Sequence, residues 1–235
     1  MKTNHTKLAS KTRRLVAGVF DRLDYGVLGP VYCHEGGDEF WRAKRGPCDR
    51  LGSRVAVVLK RKLIPGGRSL YVGSGVAELP ALMMETMELD RTVEPYNLRG
   101  AEVAALNRAC RSIPLTFHAV DATRARGRFD HLWMVSVLND PERFPNLSPL
   151  SYGRGNPLTL DPSKFHRERR IVRALVARCM GKLARPGLVT TTTEEVVWIA
   201  EWCHKHRVPY KVGKQYYPTA LVGDPICFIQ IGKGN

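Results

Sequence analysis

Apolar positions along the chain fall into two rhythms. Short, dense runs read as strands: Leu70-Tyr71-Val72, Arg91 to Tyr96, Leu115 to Ala122, Phe129 to Leu138, Leu188 to Thr193, Tyr210 to Tyr217 and Ile226 to Ile231. Between them lie stretches with helical spacing: Thr12 to Leu23, Arg50 to Leu63, the segment opening at Ala77, Arg99 to Cys110, Pro162 to Ala184 and Glu194 to His206. Leu51, Val55, Val58, Leu59 and Leu63 share one helical face, and Pro65-Gly66-Gly67 stops that helix. Strands alternating with helices predict a layered α/β fold. The last two strands are separated only by Pro218 to Pro225, too short for a parallel crossover, so they predict an antiparallel hairpin. Tyr25 to Pro47, rich in glycine and aromatic residues (Tyr25, Tyr32, Phe40, Trp41), reads as irregular. Asn139 to Asp161 is a long Pro- and Gly-containing connection of the kind that often binds ligands.

The chemistry concentrates where the first of these strands meets its helix. Ser69 to Ala77 reads Ser-Leu-Tyr-Val-Gly-Ser-Gly-Val-Ala, and Gly73 and Gly75 allow a sharp turn and a close backbone approach to a ligand. A dinucleotide fingerprint needs a small residue at 78, where this chain has Glu78. A phosphate-binding P-loop needs Gly-Lys-Ser/Thr, which does not follow. The small residue comes at Ala77 instead, giving Gly-x-Gly-x-Ala. With this turn, and with acidic residues at Glu94 and Asp121 on the next two strands, the stretch from about Arg68 to Asp140 resembles the Rossmann-like S-adenosylmethionine-dependent methyltransferases.

That resemblance implies a seven-stranded, mostly parallel sheet with a reversed C-terminal strand, in three α/β/α layers. Residues 67–235 would form this domain, with 1–66 a helical and aromatic extension that could cap a substrate. It also implies S-adenosylmethionine as cofactor. Gly73, Ser74, Gly75 and Ala77 would form the cofactor turn, and Glu94 would accept the ribose hydroxyls. Pro95 and Tyr96 would lie along the adenine, Asp121 and Ala122 would meet its amino edge, and Ser136 would face the methionine end. Tyr71 stands where the family often has a carboxylate that helps hold the methionine amino group.

Acceptor signatures are missing. Asn139-Asp140-Pro141-Glu142 lacks the second proline and aromatic of amino-methylating enzymes, Cys48 precedes the glycine turn, and Ser136 stands where ribose methylation would need an acid. Asp140 and His166 are the candidate bases; Asp140 could equally cap the turn with Pro141, and His166 could be a solvated surface side chain. His34, Glu35 and Asp38 lack metal-ligand spacing, and His204 and His206 do not share a helical face.

The net charge of +15 lies in the flanks: +8 over 1–66, zero over 67–160 and +7 over 161–235. Such segments could draw an anion to the site or be solvated faces. Six cysteines without a Cys-x-x-Cys suggest buried thiols in a reducing compartment. The apolar stretch Leu15 to Phe20 is too short for a secretory signal, and the expectation is a cytoplasmic protein. The function expected is methyl transfer to a small molecule, with a structured RNA bound through the basic flanks close behind. A binding protein without turnover and an enzyme transferring another group of the same cofactor stay open.

Overall fold

The computed structural model describes residues 7–33, 36–156, 158–221 and 223–232. Eight helices accompany one sheet in these residues: α1 (Ser10–Arg22), α2 (Tyr25–Tyr32), α3 (Gly37–Lys60), α4 (Leu79–Glu88), α5 (Gly100–Cys110), α6 (Ser148–Ser151), α7 (Pro162–Met180) and α8 (Val196–Lys205). The strands are β1 (Arg68–Val72), β2 (Thr92–Tyr96), β3 (Phe129–Met134), β4 (Leu183–Thr192), β5 (Tyr210–Val212) and β6 (Ile226–Ile231), in the order β2-β1-β3-β4-β6-β5. The first four are parallel; β6 runs against both β4 and β5. The expected antiparallel end is present.

Period-2 alternation divides the core. Tyr71, Trp133 and Leu188 point toward α1, α3, α4 and α5, while Leu70, Leu132 and Val189 point toward α7 and α8. Val16, Phe20, Trp41 and Val55 from the N-terminal helices share the first core with Leu79 and Leu82 of α4. Beneath Tyr71 a buried polar network crosses that core. Glu85 accepts from Arg91 Nε at 2.9 Å, from the Tyr71 hydroxyl at 2.6 Å and from Ser69, and stands 3.1 Å from His131 Nδ1.

Two expectations change. The sheet has six strands among the described residues, not seven: Leu115 to Ala122 contributes only a parallel bridge, His118 to Tyr96. Its neighbour Phe117 is held by a side chain instead of a ladder, donating to Asn107 Oδ1 at 2.8 Å and accepting from Asn107 Nδ2 at 3.0 Å. Within Tyr25 to Pro47, Tyr25–Tyr32 and the residues from Gly37 on are helical. Asp24 caps α2 by accepting from the Val27 N–H at 3.1 Å. Gly29 and Gly37 let α2 and α3 approach closely, since a Cβ on Gly37 would lie 2.6 Å from the Gly29 Cα. These glycines serve packing where the sequence suggested chain breaks.

Candidate functional site

At the carboxyl ends of β1, β2 and β3 lies a cavity of 360 Å³, where open α/β sheets generally bind ligands. Its floor is the glycine turn. Gly73 has φ +70°, and a Cβ there would stand 2.8 Å from the Val137 side chain. A Cβ on Gly75 would fall 2.6 Å from the Tyr32 hydroxyl and collide with the Glu102 carboxylate. Beyond the turn, Val76–Glu78 forms a single 3-10 turn leading into α4, and the Gly75 N–H donates to Glu78 Oε2 at 2.8 Å.

Of the residues singled out from sequence, Gly73, Gly75, Ala77, Tyr96, Asp121, Ala122, Ser136 and Asp140 line this cavity. Tyr71, Ser74, Glu94, Pro95 and His166 do not. The reason for Glu94 is register. Val72, the last residue of β1, pairs with Tyr96, so Glu94 lies two residues short of the strand tip, opposite Leu70. There its carboxylate accepts from Arg68 at 2.6 Å and from the Tyr96 hydroxyl at 3.1 Å. Tyr71 is wholly buried, stacked on Trp133 at 5.0 Å with its hydroxyl turned to Glu85. Ser74 is buried behind the turn, its N–H donating to the Tyr96 carbonyl at 3.0 Å. His166 is exposed on α7 against Phe165. Asp140 accepts from the Glu142 N–H at 2.9 Å, capping the turn at Pro141. Cys48 lines the cavity, but burial pushes its thiol up to about 12, which removes it as a nucleophile. His204 and His206 are engaged by Tyr210 and Trp202. Asp38 lies in the first turn of α3, and His34 and Glu35 lie outside the described residues.

Three carboxylates that the sequence did not suggest shape the cleft. Glu102, on α5, is fully buried and reaches back over Gly75. It accepts from the Tyr32 hydroxyl and from Asn97 Nδ2, the latter at 3.0 Å. Asn97, just past the tip of β2, also donates to the Ser74 carbonyl at 2.9 Å, tying the β2 tip to the turn. Burial raises the Glu102 pKa, against the lowering effect of those hydrogen bonds. Glu78, half-buried on the other side of Gly75, is pushed up to about 7, chiefly by desolvation and further by the Glu102 charge. Glu195, just before α8, accepts the N–H groups of Ser136, Val137 and Leu138 at 3.2, 2.6 and 2.5 Å and the Thr191 hydroxyl at 3.1 Å. It thereby fixes the loop after β3, including Ser136 at φ +55°. Its burial also raises it to about 7. These contacts span 27 residues for Glu102 and Gly75 and 58 for Glu195 and Val137, so no local motif announces them.

Asp121 sits at the cavity edge; desolvation, the largest single influence, raises its pKa, but hydrogen bonds from Thr123 and the charges of Arg143 and Arg178 together bring it below the ordinary value. Tyr96 lines the cavity and is backed by His118, with ring centroids 4.9 Å apart and the planes tilted by 31°. The cleft therefore combines a glycine turn packed closely against Val137, Tyr32 and Glu102, the carboxylates of Glu78 and Glu102 beside that turn, and an aromatic edge at Tyr96. No helix of the described residues is long and apolar enough to cross a membrane.

No family model matches the sequence, and no curated protein matches it. Solved structures do resemble it. A magnesium protoporphyrin IX methyltransferase from Synechocystis, with S-adenosylmethionine bound, superposes with a TM-score of 0.53 at 13% identity, covering 96% of this chain and 99% of the other. A methyltransferase from Pyrococcus furiosus gives 0.50 at 16% identity, covering 78% and 83%. At such identities the likeness is one of fold: the chain has the three-layer Rossmann-like architecture of these methyltransferases, with a mixed sheet and an N-terminal helical extension.

Proposed function

We propose that the protein is an S-adenosylmethionine-dependent methyltransferase. The observation that carries this reading is the pair of carboxylates, Glu78 and Glu102, on either side of a glycine that any side chain would obstruct. Two acids held close in a desolvating cleft repel each other and resist ionisation, so the site favours a ligand that brings positive charge and hydroxyl groups. S-adenosylmethionine carries both, and when bound it supplies a methyl group already activated by a sulfonium.

In this reading Glu102 takes the ribose role that the sequence suggested for Glu94, because Glu94 is engaged by Arg68 outside the cavity. Tyr32 and Asn97 hold its carboxylate in place. Glu78 faces the cationic end and compensates for Tyr71, whose hydroxyl is committed to Glu85. Tyr96 and Asp121 receive the adenine, and Gly73, Gly75, Ala77, Ala122 and Ser136 line its path. What the chain then contributes is alignment of an acceptor with the methyl group and exclusion of water. A small-molecule acceptor is favoured by the enclosure: Tyr32 and Phe40 of the N-terminal helices and Pro218 to Leu221 wall the same cavity. A structured RNA is the second reading, supported by the exposed Lys164, Arg167, Arg170 and Arg178 of α7. It predicts binding that weakens steeply with salt, whereas a small acceptor does not. Transfer of another group from the same cofactor, or binding without turnover, would use the same contacts.

Calorimetric titration with S-adenosylhomocysteine tests the reading. Wild type should bind. Glu102→Ala should weaken binding by about 30-fold or more, the scale of losing hydrogen bonds to a charged group, while Glu94→Ala should change it less than about threefold. The opposite ranking would return the ribose role to Glu94, and no binding by wild type would refute the cofactor assignment.

A further inference from the structure

The wall of the cavity beyond the cofactor turn carries an unusual donor. Asn139 follows the β3 loop, lines the cavity and is only 1% exposed. Its Oδ1 accepts from the Trp198 indole N–H and from the Ser151 hydroxyl, both at 3.2 Å. Its Nδ2 has no partner. The orientation of this amide is fixed by chemistry, because an indole nitrogen can only donate: turning the amide over would set two donors against each other. A buried NH2 group without a partner is costly, and this one belongs to a residue of the cavity wall. Ser136 lines the same cavity, and its buried hydroxyl is also unpartnered. Arg143 lines it too, its guanidinium over the Phe144 ring and its charge reaching Asp121.

Resting on the methyltransferase reading, we propose that Asn139 selects an acceptor that reacts through oxygen, a carboxylate or a phenol, and not through an amine. The argument is one of lone pairs. A neutral amine directs its single lone pair at the methyl group and presents only N–H donors to the wall. Against Asn139 Nδ2 those donors would leave both sides unpaired. A carboxylate or phenolate oxygen has lone pairs to spare: one attacks the methyl carbon while another accepts from Asn139. The C–S bond of the sulfonium breaks as the new O–C bond forms, and its electron pair returns to sulfur, giving the neutral thioether. A carboxylate begins without a proton on the attacking oxygen, so its methylation needs no base; a phenol first gives its proton to solvent and attacks as the phenolate. That suits a site in which Asp140 is occupied by the turn it caps.

The test uses the full-length protein saturated with S-adenosylhomocysteine and a matched set of aromatic probes: benzoate, phenol, aniline and benzylamine. Binding is followed by saturation-transfer NMR and calorimetry, and methylation by transfer of label from S-adenosylmethionine. The oxygen probes should bind at least about tenfold more tightly than the amines, the scale of one mismatched buried hydrogen bond. Asn139→Asp keeps the shape and can still accept from Trp198 and Ser151, but presents an acceptor to the cavity. With its new carboxyl ionised it should reverse the preference while affinity for S-adenosylhomocysteine stays near wild type; burying that charge should lower the melting temperature and raise the carboxyl's pKa, so the probes are compared at about pH 8.5. Amine preference in wild type, equal binding of both kinds or of neither, or an unchanged preference in Asn139→Asp would each overturn the proposal. If wild type fails to bind S-adenosylhomocysteine, the methyltransferase reading itself falls and takes this inference with it; every other negative leaves that reading standing.

Discussion

Glu78 offers the sharpest quantitative test, because its titration and the charge of the ligand are coupled. In the free protein its pKa is about 7, raised first by desolvation and opposed by the Gly75 N–H. By simple titration about nine-tenths of this group is protonated at pH 6 and about one-tenth at pH 8. A cationic ligand beside it favours the ionised form and draws the pKa back toward the ordinary carboxylate value. Binding must then release about 0.9 proton at pH 6 and almost none at pH 8, and affinity must rise about tenfold between those pH values. Calorimetry in two buffers of different ionisation enthalpy measures the proton release directly. S-adenosylmethionine and S-adenosylhomocysteine should be compared, since only the former has the sulfonium; a larger effect for it would put Glu78 beside sulfur, an equal effect beside the ammonium. Glu78→Gln can still accept from Gly75 and should flatten the profile. Glu195 titrates in the same range, but it faces backbone N–H groups behind the cavity and should not contribute. Affinity that falls with rising pH, or a profile unchanged in Glu78→Gln, would refute the assignment of Glu78 to the cationic end.

Three further outcomes follow from the geometry. Gly75→Ala puts a methyl group against Tyr32 and the anchored Glu102; it should cost about 1–3 kcal/mol in stability by urea titration and abolish measurable S-adenosylhomocysteine binding. Glu85→Ala removes one carboxylate partner from Arg91 and His131, both with wholly buried side chains, while Arg91 keeps Asp130 and His131 keeps Thr190; it should destabilise by about 1.5–3 kcal/mol, the scale of lost hydrogen bonds to charged groups. The Glu85 pKa is lowered by His131 and Arg91 against strong desolvation, so its contribution is present above the ordinary carboxylate range and is lost as pH falls through its folded value; the acid limb of the melting profile should flatten in this variant. For ligand-free protein Glu195 has the opposite sign: its contribution is complete below the ordinary carboxylate value and is lost as pH rises through about 7, so Glu195→Gln should raise relative stability at pH 8 against pH 5, read from paired thermal melts.

What the sequence disclosed, and what it hid, divides along one physical line. Gly73 and Gly75 were legible because the turn is a local matter of φ and of space above the backbone, and the spacing of the helices was legible because amphipathic periodicity is local too. The reversed last strand followed from a connection too short to cross over. Glu94 shows where this stops. Its distance from the glycines fits the acidic position of the fold, yet a strand register two residues longer carries the tip to Tyr96 and Asn97 and leaves Glu94 with Arg68. The side chain that does reach Gly75 comes from α5, in the first turn of the following helix. Tyr25 to Pro47 misled for a related reason: a glycine breaks a chain when solvent surrounds it and joins two helices when another glycine faces it, as Gly37 faces Gly29. Each of these residues has a place that depends on what stands across from it. The same dependence makes Asn139 informative once the fold is known, because Trp198, 59 residues away, decides which end of its amide the cavity meets. In a cleft of this kind the fold sets the position of each polar group, and the partner behind it sets whether that group donates or accepts. The acceptor's chemistry is therefore written in the second contact of each side chain that lines the cavity.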